Sequence, residues 1–164
     1  MLCKRQEKLY RKNAGIVVFN KDKKVLICKR VDCKEEPAWQ FPQGGVNDDE
    51  DLAEAAKREL FEETGIKSVE LVARLNKPTF YEFPKDIFKI FKKKGWLAVG
   101  QMQYWFLFYF SGKDKEIALD RYKEIEFSEY KWIDIKDAPS HVWLPKRKVY
   151  EKVAKEFAKK IAEY

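Results

Sequence analysis

Between Asp51 and Thr64 the sequence runs Asp-Leu-Ala-Glu-Ala-Ala-Lys-Arg-Glu-Leu-Phe-Glu-Glu-Thr, and Gly65 and Ile66 follow. Alanine, leucine and glutamate favour helix. Acidic residues at the start suit the helix dipole, and Gly65 stands where a left-handed C-terminal cap belongs. A helix over 51–64 is therefore predicted. Residues three and four apart share one side of a helix, so Glu59 neighbours both Glu62 and Glu63. Each like-charge pair costs an isolated helix about 0.2–0.5 kcal/mol. A divalent cation would relieve that repulsion, and hard oxygens on a rigid helix suit Mg²⁺ or Mn²⁺. The plainer alternative is a solvated acidic face in which Arg58 pairs with Glu62 and Lys57 lies alongside. The pair Gly44–Gly45, just upstream, favours the cation, because glycine lets the backbone turn sharply and approach a ligand closely.

Around this helix the pattern is mostly β. Ala14–Phe19 is a short apolar run, Asn20–Lys24 a polar turn, and Val25–Arg30 the second arm of a hairpin. Trp39–Phe41 is a short strand, and Pro42 with Gly44–Gly45 breaks it. Strands are expected at Val69–Leu75, Met102–Phe110 and Ile125–Ile133, with an irregular basic connection over Thr79–Lys94. In the segment Lys146–Tyr164, Val149, Val153, Phe157 and Ile161 recur every four residues, the mark of an amphipathic helix. Strands surrounding one helix, with a second helix at the end, predict a mixed sheet packed between helices.

The 164 residues fit one domain, 1–164, with its own core. The formal net charge of +7 is mostly lysine spread along the chain. It favours polyanionic partners, or serves as a soluble surface. Three cysteines without regular spacing argue against a disulfide framework, and His141 alone excludes a multi-histidine metal site. Tyr104–Phe110 is too short to span a bilayer, so no membrane association and a cytoplasmic location are expected.

Gly44, Glu50, Arg58, Glu59, Leu60, Glu62, Glu63, Gly65 and Ile66 together fill every fixed position of the Nudix box, at residues 44–66. The resemblance continues on both sides. Tyr10-Arg11-Lys12-Asn13-Ala14-Gly15, Trp39-Gln40-Phe41-Pro42-Gln43, Gly100-Gln101, Gln103, Trp105-Phe106-Leu107, Glu126-Phe127 and Lys146-Arg147 resemble one branch of that family. The branch holds the bacterial RNA pyrophosphohydrolases and the plant-type asymmetric diadenosine tetraphosphate hydrolases. The resemblance implies an α/β fold, with a mixed sheet in an α/β/α sandwich. It departs from the branch at Pro145, where an aromatic residue usually stands, with Trp143 as a displaced candidate. It departs again at Asn47-Asp48-Asp49, where relatives often carry glycine; this bears on loop shape.

By resemblance, Glu59, Glu62 and Glu63 are metal ligands together with the Gly44 carbonyl, and Arg58 orients the glutamates. Glu126 serves either as general base or as a further ligand, or is a surface glutamate. Arg11, Arg30, Gln43, Lys146 and Arg147 are the candidate substrate contacts. Tyr81 stacks on adenine or packs under a loop. The expected reaction is Mg²⁺-dependent cleavage of diadenosine tetraphosphate to ATP and AMP, carried by Thr79–Pro84 and Phe110–Ile117. The alternative is removal of pyrophosphate from RNA 5′ ends. A catalytically silent nucleotide sensor is the reading of a different class, which the intact box disfavours. A monomer is expected.

Overall fold

A computed structural model describes residues 3–33 and 36–164. The strands are β1 (Tyr10–Phe19), β2 (Val25–Arg30), β3 (Trp39–Gln40), β4 (Gln43–Gly45), β5 (Val69–Arg74), β6 (Thr79–Glu82), β7 (Gly100–Phe110) and β8 (Phe127–Ile133). The helices are α1 (Lys4–Glu7), α2 (Leu52–Thr64), α3 (Lys85–Lys93), α4 (Ala138–His141) and α5 (Arg147–Glu163). All eight strands join one mixed sheet with the central order β3-β2-β1-β7-β5. β1 and β7 run parallel, in register from Tyr10–Gly100 to Phe19–Tyr109. β2 and β4 flank β1 antiparallel, β5 and β6 pair with β7, and β8 covers the far side of β2.

Alternation along the central strands divides the core in two. Ala14, Ile16 and Val18 of β1, with Phe106 and Phe108 of β7, pack against Ala53, Ala56 and Leu60 of α2. Val17 and Phe19, with Trp105 and Leu107, face Val149, Val153, Phe157 and Ile161 of α5. Successive side chains of a strand point to opposite faces, and both faces are covered. This explains why β1 is buried from Asn13 to Phe19 without interruption. The result is the α/β/α sandwich, and the four-residue stripe of α5 is its inner face. Among the described residues no helix is long and apolar enough to cross a membrane, and the cysteines form no disulfide.

α2 begins and ends as the sequence requires. Asp51 caps it, accepting from the Glu54 amide at 3.1 Å, a contact worth about 1 kcal/mol. Gly65 closes it at φ +76°. The expected irregular stretch Thr79–Lys94 is instead ordered. Thr79–Glu82 pairs antiparallel with Gly100–Gln103, and Lys85–Lys93 forms a helix started by Pro84. The physical reason was present in the sequence: Ile87, Ile90 and Phe91 have helical spacing, and Gly95, at φ +84°, ends the helix. The dense lysines and aromatics masked that period.

Candidate active site

At the end of the sheet where β1 and β7 begin, a cleft of about 1690 Å³ opens between α2, α3 and the loop before β8. It is larger than the roughly 300–1,000 Å³ of an ordinary small-molecule pocket. Gly44, Glu59, Glu62, Glu63 and Glu126 all line it, so the five expected metal-binding residues share one cleft. The approach of β4 to α2 is intimate. A Cβ at position 44 would collide with the Glu59 carboxylate, so this close passage requires glycine.

Arg58 organises the acidic wall. Its Nε and Nη2 donate to Glu50, and Nη2 also reaches the Gly45 carbonyl at 2.9 Å. Its Nη1 donates to Glu59 at 2.9 Å and to Glu62 at 3.3 Å. Asp49 takes φ +63° in the loop that delivers Glu50, a left-handed geometry that aspartate tolerates better than most residues. Asp49 thus fills, without glycine, the loop that departs from the branch pattern.

Glu63 is buried, and its Oε2 accepts from the Gln43 amide at 3.2 Å. Burial and the nearby charges of Glu59 and Glu126 push its carboxyl well above the ordinary range. Burial also raises Glu59 and Glu126. Arg58 takes up oxygens of Glu59 and Glu62, and no three His, Cys, Asp or Glu side chains among the described residues stand in a finished metal cage. The donor set nevertheless fits a hard divalent cation: all its atoms are oxygen, and the mutual repulsion felt at Glu63 is what such a cation neutralises.

Beside this wall lies a cationic and amide-rich floor. Lys146 is only 2% exposed. Its Nζ donates to Gln43 Oε1 at 3.2 Å and to Gln40 Oε1 at 3.4 Å. Burial, with the Arg30 charge, lowers its pKa to about 7. Gln103, buried on β7, donates to Gln43 Oε1 and Asn13 Oδ1, at 2.9 and 3.2 Å. Arg30 is held by two hydrogen bonds to Asp32, at 2.9 and 2.7 Å, and Arg11 reaches the rim. Of the Asn13–Gln103–Gln43 relay, Gln43 is an expected substrate contact from sequence, whereas Asn13, Gln103 and Asp32 are site residues that the sequence does not single out. The available signal was polar Gln101 and Gln103 at the start of an otherwise apolar central strand.

Two expected substrate contacts are placed differently. Arg147 does not line the cleft; its Nε donates to the Pro139 carbonyl at 3.1 Å, because it starts α5 and turns toward α4. Tyr81 lines the cleft but is only 7% exposed. Its hydroxyl donates to Gln101 at 2.7 Å, and Lys146 Nζ lies 5.4 Å from its ring centroid. That ring is a packed wall element, with no open face for adenine. Trp143, the displaced candidate, is half-buried and does line the cleft.

The NUDIX domain model matches residues 9–153. An RNA pyrophosphohydrolase of Pelagibacter ubique is 46% identical over 151 residues, covering 92% of each chain. One of Bartonella henselae is 40% identical over 158 residues, covering 90% of each. Among solved structures, a C. elegans Ap4A hydrolase in a binary complex superposes with a TM-score of 0.67 at 20% identity, over 94% of this chain and 99% of that one. The last likeness is one of fold. The match over nearly the whole length, the intact box and the acidic wall agree, and the chain belongs to the Nudix hydrolase family.

Proposed function

We propose that this protein is an RNA 5′-pyrophosphohydrolase, cleaving the α–β phosphoanhydride of a 5′-triphosphorylated RNA to leave pyrophosphate and a 5′-monophosphate. The observation that carries this reading is identity of 40–46%, across nine-tenths or more of both chains, with proteins bearing that name. The expected preference for diadenosine tetraphosphate leaned partly on Tyr81 as an adenine platform. Its burial removes that support, and the Ap4A hydrolase likeness, at 20% identity, is too distant to restore it. The cleft's size and open end suit a substrate with a trailing strand.

Glu59, Glu62, Glu63 and the Gly44 carbonyl would hold Mg²⁺, with Mn²⁺ as a substitute, and Glu126 lines the same cleft near enough for its charge to act on Glu63. The chemistry such a cation would supply there is neutralisation of phosphate oxygens and a lowered pKa for the attacking water. Arg58 keeps Glu59 and Glu62 aimed from behind. Such outer partners of metal ligands fix ligand orientation. Glu126 has its proton affinity raised by burial and by Asp32, which brings it nearer the range useful to a base at neutral pH. Lys146, Arg30 and Arg11 supply the positive charge that a triphosphate requires. Lys146 is oriented by Gln40 and Gln43, and Arg30 by Asp32.

The test is a side-by-side assay with Mg²⁺ on 5′-triphosphorylated RNA and on diadenosine tetraphosphate, with products identified. Pyrophosphate and monophosphorylated RNA, at the higher kcat/KM of the two, are expected. ATP and AMP at the higher kcat/KM would return the dinucleotide to first place.

A further inference from the structure

A ladder of rings lines the same cleft as the carboxylates. Tyr81 meets Phe83 edge-on, with centroids 5.8 Å apart. Phe83 meets Phe91 at 5.0 Å, and Phe91 meets Trp96 at 5.0 Å. The lower rungs are buried or half-buried, but Trp96 is 51% exposed, beside Ile90 at 49% and Leu97 at 73%. All three line the cleft. A tryptophan left open at the end of a packed ladder is costly to keep in water unless something covers it.

Trp96 is also held in place. Gly95 adopts φ +84° after the last turn of α3. Its amide donates to the Lys92 carbonyl at 3.0 Å, and the Trp96 amide to the Phe91 carbonyl at 2.8 Å. This pair of bonds is a Schellman cap, and the Phe91–Trp96 contact is the apolar clasp that accompanies it. The indole is thus delivered at a fixed angle. Immediately before it, Lys92, Lys93 and Lys94 are all exposed, and Lys94 Nζ lies 5.9 Å from the indole centroid. A stacking ring beside a run of cations is the combination that binds single-stranded nucleic acid.

We propose that Trp96 is a stacking platform for a nucleobase of the RNA strand leaving the cleft, downstream of the 5′-terminal nucleotide, with Lys92–Lys94 as its phosphate contacts. This rests on the RNA reading above and adds the residues that recognise the strand. Charge selects the occupant: the acidic wall takes the cation-bound phosphates, and the lysine-edged rim takes the backbone that follows. A carrier of the same chemistry without a strand, such as a nucleotide, would not need the rim.

The experiment separates the platform from the chemistry. Binding of a 5′-hydroxyl single-stranded RNA of about eight nucleotides, which has no phosphates to cleave, is followed by fluorescence anisotropy without divalent cation. Trp96→Ala is expected to weaken binding at least about fivefold and Trp96→Phe to retain most of it. The double substitution Lys92→Gln with Lys93→Gln is expected to flatten the salt dependence. Gly95→Ala keeps the indole but strains the cap, and nothing lies within 4 Å of the added Cβ; it serves if Trp96→Ala fails to fold. Its expected effect is a weakening between those of the two Trp96 variants. Equal binding by wild type and folded variants, or no binding by wild type, overturns the platform. Normal RNA binding without pyrophosphate release from triphosphorylated RNA overturns the catalytic reading instead.

Discussion

Arg58 grips Glu50 with two parallel hydrogen bonds, Nε to Oε2 at 2.8 Å and Nη2 to Oε1 at 2.9 Å. The same guanidinium reaches Gly45, Glu59 and Glu62. One planar cation therefore ties the loop to α2 and aims two carboxylates. Lysine cannot reproduce this fork. Arg58→Lys is expected to lower turnover by about 10–100-fold, the usual effect of losing a partner that orients metal ligands, with the far-ultraviolet circular dichroism unchanged. Wild-type turnover would show that the fork is decorative.

Gly44→Ala tests the close passage of β4 over α2. The new methyl would meet the Glu59 carboxylate and displace it. Turnover should fall by a factor on the order of 10², while thermal stability changes little, since the Glu59 side chain can move away. A normal rate would mean that Glu59 is not held where the reaction needs it.

Glu63→Gln should separate activity from stability in opposite directions. The raised carboxyl of Glu63 stays protonated in the folded state over a pH range where the unfolded chain has already released its proton. Stability is therefore highest below the ordinary carboxylate pKa and falls as pH rises toward the folded value. At neutral pH and without divalent cation, a neutral glutamine avoids that loss and can still accept from the Gln43 amide. Turnover should fall by orders of magnitude, while Tm in chelator rises by about 2–4 °C. A drop in Tm would assign Glu63 a structural role.

Lys146 carries the opposite sign. Its pKa falls from 10.5 to about 7 on folding. Between those values the unfolded chain holds a proton that the folded protein has lost. Stability attributable to Lys146 thus rises with pH from about 7 toward 10.5. Its positive charge in the cleft is lost over the same rise, so KM for the triphosphorylated substrate should increase above neutral pH. Lys146→Met should give a higher KM with a flatter pH profile; an unchanged profile would remove Lys146 from phosphate binding.

Arg11 and Arg147 form a paired control. Arg11 lines the cleft, whereas Arg147 is spent on the Pro139 carbonyl. Arg11→Ala should raise KM for the RNA several-fold. Arg147→Ala should leave KM unchanged and lower unfolding stability by about 1.5–3 kcal/mol, the range for a hydrogen bond made by a charged donor, read by urea titration. The reverse pattern would restore Arg147 as a substrate contact.

The residues of the acidic wall were legible in the sequence because their neighbourhood is local. Helical spacing alone puts Glu59 beside Glu62 and Glu63, and Arg58 in reach of Glu62. Gly65 and Asp51 mark the ends of α2 in the same local way. The four-residue stripe of α5 likewise marked which of its side chains face inward. Tertiary structure decided what depends on distant segments meeting. The parallel register of β1 with β7 brings Asn13 to Gln103, and so builds the relay that holds Gln43 and Lys146. The pairing of β6 with β7 buries Tyr81, and the cap of α3 turns Trp96 outward in its stead. Arg147 adjoins Lys146 in sequence, yet one enters the cleft and the other leaves it, because α5 begins between them. Periodicity states which face of an element a residue occupies; only the packing of elements states what that face meets.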